Sequence, residues 1–180
     1  MKSYFKKRII SRGDVEKCKL IGNGRDGEVY ELAYDKCVKM FYQEETQKKE
    51  LKALIIGQSS PIIPRLYEYG ENYIVMEYIH GISLAGYLKR EQKMTEELTK
   101  KILMMLNELK KIGFTRWDAE VRHVLINEKG QLKVIDHKRA FTANIQVPVK
   151  LLKGLEKFGL AQDFLNHVKN IQPSLYNKWM

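Results

Sequence analysis

The sequence predicts an α+β fold of two lobes, a small strand-rich lobe with one helix followed by a mostly helical lobe. Apolar residues in the first third alternate with period two, whereas beyond residue 83 they recur with a period near 3.6. Glycine, asparagine and proline punctuate the segments where turns are needed. With 180 residues, 44% of them hydrophobic and 30% charged, the chain can bury a core and is too apolar to stay disordered. It reads as one domain over 1–180, with a first lobe over 1–78 and a second over 79–180.

Residues 19–21 lead into a glycine-rich turn, 28–33 form a second strand, Asp35-Lys36 turns, and 37–42 make a third strand. A helix is expected over 44–56, with Leu51, Leu54 and Ile55 on one face and Gly57 as its stop. After a loop over 59–64, strands are expected at Leu66–Tyr69 and Tyr73–Glu77, joined by Gly70-Glu71-Asn72, and 78–81 is the linker. Ser83 is placed to cap a short helix carrying Leu84, Tyr87 and Leu88. Thr95 is placed to cap a longer one, acidic at its start (Glu96, Glu97) and basic at its end (Lys110, Lys111). Its stripe is Leu98, Ile102, Leu106 and Leu109 with Met105 beside it, and Gly113 ends it. A hairpin follows over 124–126 and 132–135, around Asn127-Glu128-Lys129-Gly130. The remainder reads as helices over 149–157 and 160–169, with Pro173 before a short end.

No run of about 18 apolar residues occurs, so no membrane-spanning segment is expected. The basic residues of 1–10 precede no apolar stretch of the kind a secretory signal needs. Cys18 and Cys37 lack a metal-ligand spacing and are expected as unpaired, buried thiols in a reducing, cytoplasmic setting. The net charge of +10 comes from lysines spread over the whole length, which suits a solvated surface and also a polyanionic ligand.

Gly22-Asn23-Gly24-Arg25-Asp26-Gly27-Glu28-Val29 fits G-x-G-x-x-G-x-V. Glycines let a backbone approach phosphates closely. A dinucleotide fold would need this pattern to open a helix, but here a strand continues, which favours a loop folded over phosphates. Twelve residues after Gly27, Lys39 interrupts an apolar strand. It is either a solvent-facing lysine or an ammonium aimed at phosphates, and in a cleft it needs an anionic partner. Glu50 is the best candidate, with Glu44, Glu45 or no carboxylate as alternatives. Arg116-Trp117-Asp118 and Val134-Ile135-Asp136 put two aspartates eighteen residues apart at the ends of a loop and a strand. One carboxylate to orient a hydroxyl and one to bind metal are what phosphoryl transfer requires, against the bland reading of two unrelated loop aspartates.

In this order the residues resemble the protein-kinase superfamily over roughly residues 15–145. The resemblance implies a kinase-like fold that takes ATP and Mg²⁺ (or Mn²⁺). It implies that Gly22, Gly24, Gly27 and Val29 cover the nucleotide and that Lys39, paired with Glu50, holds the phosphates. Met76, Glu77 and Tyr78 would bind adenine through the backbone, Asp118 would be the catalytic base, and Asp136 would bind the metal. The compact spacing and short C-terminal part look more like the RIO, Bud32 and lipopolysaccharide Kdo-kinase types than a full eukaryotic kinase. Three departures stand out. Of H-R-D only Asp118 is retained; His123 occupies the place of the metal-binding Asn; and D-F-G reads Asp136-His137-Lys138. His123 is either a second metal ligand or a buttress of the loop. Lys138 and Arg139 either add to phosphate or substrate binding or are surface charge. No Ala-Pro-Glu occurs, and the twelve residues 137–148 leave little room for a peptide-docking platform.

The expectation is an ATP-dependent phosphotransferase of serine/threonine-protein-kinase type, with a protein or small-molecule hydroxyl as acceptor. The alternative is a nucleotide-binding pseudokinase that acts through partners. RNA as a partner is suggested only by the basic balance and by the likeness to the lean kinase types.

Overall fold

The computed structural model describes residues 10–180, so the secretory-signal reading of the N-terminus falls almost wholly outside the described residues. A five-stranded antiparallel sheet in the order β1-β2-β3-β5-β4 forms the first lobe. Its strands are β1 (Lys19–Gly24), β2 (Gly27–Ala33), β3 (Lys36–Phe41), β4 (Leu66–Tyr69) and β5 (Tyr73–Glu77), with helix α2 (Glu44–Gly57) packed on one face. Period-two alternation decides which side chains face α2. On central strand β3, Cys37 and Phe41 turn towards α2 and the main core, while Val38 and Met40 turn the other way with Tyr73 and Val75.

That outer face is covered by a four-residue helix, α1 (Arg12–Val15), which buries Val15 to 1% exposure. The sequence pattern did not predict α1. One turn is too short to show a period, and its signal is the Ser11/Asp14 capping box.

The second lobe holds a three-stranded sheet, β6 (Gly81–Ser83), β7 (Val124–Asn127) and β8 (Leu132–Val134), in that order. Around it lie α3 (Leu84–Glu91), α4 (Glu96–Lys111), α5 (Val149–Glu156), α6 (Ala161–Ile171) and α7 (Pro173–Trp179). Ser83 caps α3 through the Gly86 N–H, and Thr95 caps α4 through the Leu98 N–H, both at 3.1 Å. Gly113, at φ +89°, ends α4 with its N–H on the Lys110 carbonyl, a conformation that glycine enters without penalty. The α4 stripe Leu98, Ile102, Met105, Leu106 and Leu109 is buried throughout.

Several expectations are corrected. Gly57 is the last residue of α2 rather than its stop, and a Cβ there would come within 2.8 Å of Ile63 Cγ1, so the glycine serves close packing. Ile55 is 50% exposed, because the buried face of α2 runs through Gln47, Glu50, Ala53 and Leu54. The last residue of the expected linker, Gly81, opens strand β6, whose three residues pair with β7. Pro173 begins a helix, at the first position where its missing N–H costs nothing. Cys37 is a buried free thiol, pushed up to about 12 by burial, but Cys18 is only half-buried. Among the described residues, no helix is long and apolar enough to cross a membrane.

Candidate active site

Antiparallel pairing sets the site's upper wall. Val29 lies opposite Lys39 in the β2–β3 register, and Gly24 opposite Gly27 closes the β1–β2 hairpin around Arg25-Asp26. A Cβ at Gly27 would overlap the Met40 carbonyl oxygen, so the turn can lie against β3 only with glycine there. Lys39 lies on the inward side of β3 and is 9% exposed, not solvent-facing. Its Nζ stands 2.6 Å from Glu50 Oε2 on the buried face of α2. Glu44 and Glu45 instead pair with Lys48 and Lys49 one turn on. Burial pushes the Glu50 carboxyl up from its usual range, and the Lys39 ammonium opposes that shift.

The lower wall comes from the loops flanking β7 and β8. Asp118 is 6% exposed, and its Oδ2 accepts the Lys150 backbone N–H at 3.0 Å, at the start of α5. Arg116 Nε lies 3.6 Å from Asp118 Oδ1, which is buried without a hydrogen-bond partner. Asp136 takes φ +60°, a left-handed conformation that aspartate tolerates better than most residues. Its Oδ1 is likewise buried without a hydrogen-bond partner, while its Oδ2 lies 3.4 Å from His123 Nε2. The Ile135 N–H on the His123 carbonyl, at 2.9 Å, holds these two segments side by side. Burial lowers the His123 pKa against the pull of Asp136, so the imidazole is neutral at pH 7 and offers a lone pair. His137 points inward, 5% exposed, edge-on to Phe114 at 5.5 Å, with its pKa lowered to about 4 by burial.

The two walls enclose a cavity of about 380 Å³ whose lining includes Gly22, Gly24, Gly27, Val29, Lys39, Asp118, His123 and Asp136. Glu50 stands behind Lys39. Met76, Glu77 and Tyr78 do not line it. Met76 is core. The Glu77 carboxylate binds Lys133 Nζ at 2.8 Å and the Arg65 N–H at 3.0 Å. The Tyr78 N–H donates to the Asp35 carbonyl at 3.0 Å. Asn127 stays in the hairpin turn, its Oδ1 accepting the Lys129 and Gln131 N–H groups.

The lining residues that the sequence missed or left open include two ion pairs. Lys138 pairs with Asp26 across the cavity mouth, and Lys150 Nζ pairs with Glu120 at 3.0 Å. The adjacency of Lys138 to Asp136 and of Glu120 to Asp118, and the place of Asp26 inside the glycine-rich motif, are sequence signals; Lys150 carries none.

Phosphates fit beneath a glycine turn beside Lys39. For a divalent metal, the unsatisfied Asp136 Oδ1 is a suitable hard oxygen ligand, with the neutral His123 imidazole beside it. Among the described residues no three His, Cys, Asp or Glu side chains converge to hold a metal by themselves. A metal at Asp136 would therefore draw its remaining ligands from phosphate oxygens and water, the habit of Mg²⁺ at nucleotide sites.

Comparison with known proteins gives the family. The model of the ABC1 atypical kinase-like domain matches residues 39–157, from Lys39 onwards, leaving the glycine-rich turn outside the match. The protein named "Putative serine/threonine-protein kinase YrzF" of Bacillus subtilis is 28% identical over 129 residues, covering 69% of this chain and 60% of that protein. "Serine/threonine-protein kinase cot-1" of Neurospora crassa is 24% identical over 143 residues, covering 74% of this chain and 24% of that protein. "Serine/threonine-protein kinase CBK1" of Candida albicans is 23% identical over 145 residues, covering 76% and 20% respectively. The chain thus spans 60% of the bacterial relative's length and a quarter or less of the two fungal ones. Kinase-like domains in general use ATP with a divalent metal. With about two thirds of its length matched, the chain belongs to the ABC1 atypical kinase-like domain family.

Proposed function

We propose that this chain is an ATP-dependent phosphotransferase that moves the γ-phosphate of ATP to a hydroxyl acceptor. One observation carries the reading. A single cavity collects a lysine held by a buried glutamate, Lys39 on Glu50, and two buried carboxylate oxygens without hydrogen-bond partners, Asp118 Oδ1 and Asp136 Oδ1. Phosphoryl transfer needs positioned charge of this kind and little else from a protein. In this reading the chain is a single kinase-like domain with lobes over 1–78 and 79–180.

Gly22, Gly24 and Gly27 let the backbone lie against the phosphates, and Val29 walls the same side. Lys39 offsets phosphate charge, while Glu50 keeps the ammonium aimed. Asp118 Oδ1 accepts the proton of the acceptor hydroxyl as that oxygen bonds to the γ-phosphorus. The bond from this phosphorus to the β–γ bridging oxygen breaks, and ADP leaves. Asp136 and the neutral His123 would hold Mg²⁺ or Mn²⁺, which neutralises charge on the phosphates when bound. Glu77 and Tyr78 lie outside the cavity's lining, and adenine binding through their backbone would require their N–H groups to leave the Arg65 and Asp35 carbonyls. The relatives' names support a serine or threonine hydroxyl of a protein as acceptor. The two unpaired cysteines support a cytoplasmic setting.

A second reading, a nucleotide-binding regulator without turnover, is favoured by the Asp118 carboxylate serving the N-terminus of α5 and by His123 in place of an amide ligand. Incubation with γ-labelled ATP and Mg²⁺ or Mn²⁺, beside Lys39→Ala, Asp118→Asn and Asp136→Ala, separates the two. Label transfer or hydrolysis that disappears in all three variants supports the phosphotransferase. Thermal stabilisation by nucleotide with no turnover in either metal supports the regulator and ends the first reading.

A further inference from the structure

Beyond Asp136 the backbone turns at φ +60°, His137 enters the core against Phe114, and Lys138 returns to the cavity mouth. There its ammonium pairs with Asp26 Oδ2 at the tip of the glycine-rich turn, 112 residues earlier and on the opposite wall. The same ammonium lies 3.9 Å from Asp136 Oδ1. Both members of the Lys138–Asp26 pair are largely withdrawn from water, with side chains 21% and 19% exposed. Asp26 is firmly tied to its own lobe, since its carbonyl accepts the Tyr42 N–H at 3.0 Å. Lys138 also faces like charge from Arg139, Arg25 and Lys150, which leaves Asp26 as its closest counter-ion.

We infer that Lys138 is a positioning residue that holds the glycine-rich turn closed over the phosphate site by pairing with Asp26. The pair joins the tip of the upper wall to the segment that follows Asp136, so losing it frees the turn to lift from that segment while the β2–β3 ladder and the Tyr42–Asp26 bond of its own lobe remain. An anion or cation arriving beside Asp136 changes the charge that Lys138 faces, so occupancy of the cavity and closure of the turn are coupled. The consequence for nucleotide rests on the function proposed above; the closure does not.

The test uses the full chain without ligand, as wild type, Lys138→Met, Asp26→Asn, the double variant, and the charge swap Asp26→Lys with Lys138→Asp. Hydrogen exchange of the amides of residues 22–27 is measured at low salt and at about 0.5 M salt. Each single variant is expected to exchange about threefold faster than wild type, the double no faster than either single, and the swap slower than both. Salt should speed the wild type towards the variants and leave the singles unchanged. Single variants exchanging at the wild-type rate, or a double variant combining two independent effects, overturn the inference. With a fluorescent ATP analogue and Mg²⁺, the single variants should also release nucleotide about threefold faster. Absence of any nucleotide binding by wild type would defeat the proposed function and leave the exchange measurement to decide on the closure.

Discussion

Replacing His137 by Phe should flatten the acid side of the stability curve. In the folded chain this imidazole is 5% exposed, its Nε2 has no hydrogen-bond partner, and burial holds its pKa at about 4. In the unfolded chain it takes up a proton near the ordinary value of 6.5. Between those two values the unfolded state binds more protons, so stability falls as the pH drops from 6.5 towards 4. The gap corresponds to roughly 3 kcal/mol lost by about pH 4, a large share of a typical total of about 5–15 kcal/mol. Phe cannot titrate and keeps a ring against Phe114, which lies 5.5 Å away edge-on. Its larger volume carries a packing cost, but that cost is the same at every pH, and His137→Leu controls for shape. The assay is urea unfolding of wild type and both variants at steps from pH 7 to pH 4. The variants should gain about 3 kcal/mol on wild type across that range. Parallel curves would refute the burial argument, because they would mean that His137 is protonated equally in both states.

Lys39→Met should leave Glu50, 2% exposed, as an unpaired buried carboxylate and cost about 3–5 kcal/mol in urea unfolding at pH 7, with Lys39→Met/Glu50→Leu recovering most of it. Gly27→Ala should push β2 off the Met40 carbonyl, lower stability by about 1–3 kcal/mol, and shrink any thermal shift produced by ATP with Mg²⁺. Thr95→Ala removes the acceptor of the Leu98 N–H and should cost about 1 kcal/mol, read by calorimetry as a fall of about 2–4 °C in Tm.

Signals confined to a few neighbouring residues were legible in the sequence. Strands 66–69 and 73–77, the caps Ser83 and Thr95, and the glycine-ended α4 follow from period, turn chemistry and capping, all of which act over one or two turns. Local pattern misjudged α2, because an apolar residue was assumed to face inward. Ile55 is exposed, whereas Glu50 is buried by virtue of a partner on β3 that no window along the helix contains. α1 was missed because its reason for forming is the outer face of a sheet built from residues 20 to 60 positions later.

The chain by itself determined the order of elements and the types of side chain available for chemistry: a glycine turn, one lysine in an apolar strand, and two aspartates beside a hairpin. These depend on backbone preference and on hydrophobic periodicity, which are properties of neighbours. Only the tertiary structure decided that Lys39 pairs with Glu50, that Asp118 meets the N-terminus of α5, and that Lys138 reaches Asp26. It also decided that Met76 is buried in the core while the Tyr78 N–H is occupied by Asp35. Each of these is a contact between groups far apart in sequence. Its free energy depends on burial and distance after packing, and neither quantity exists until the chain has folded.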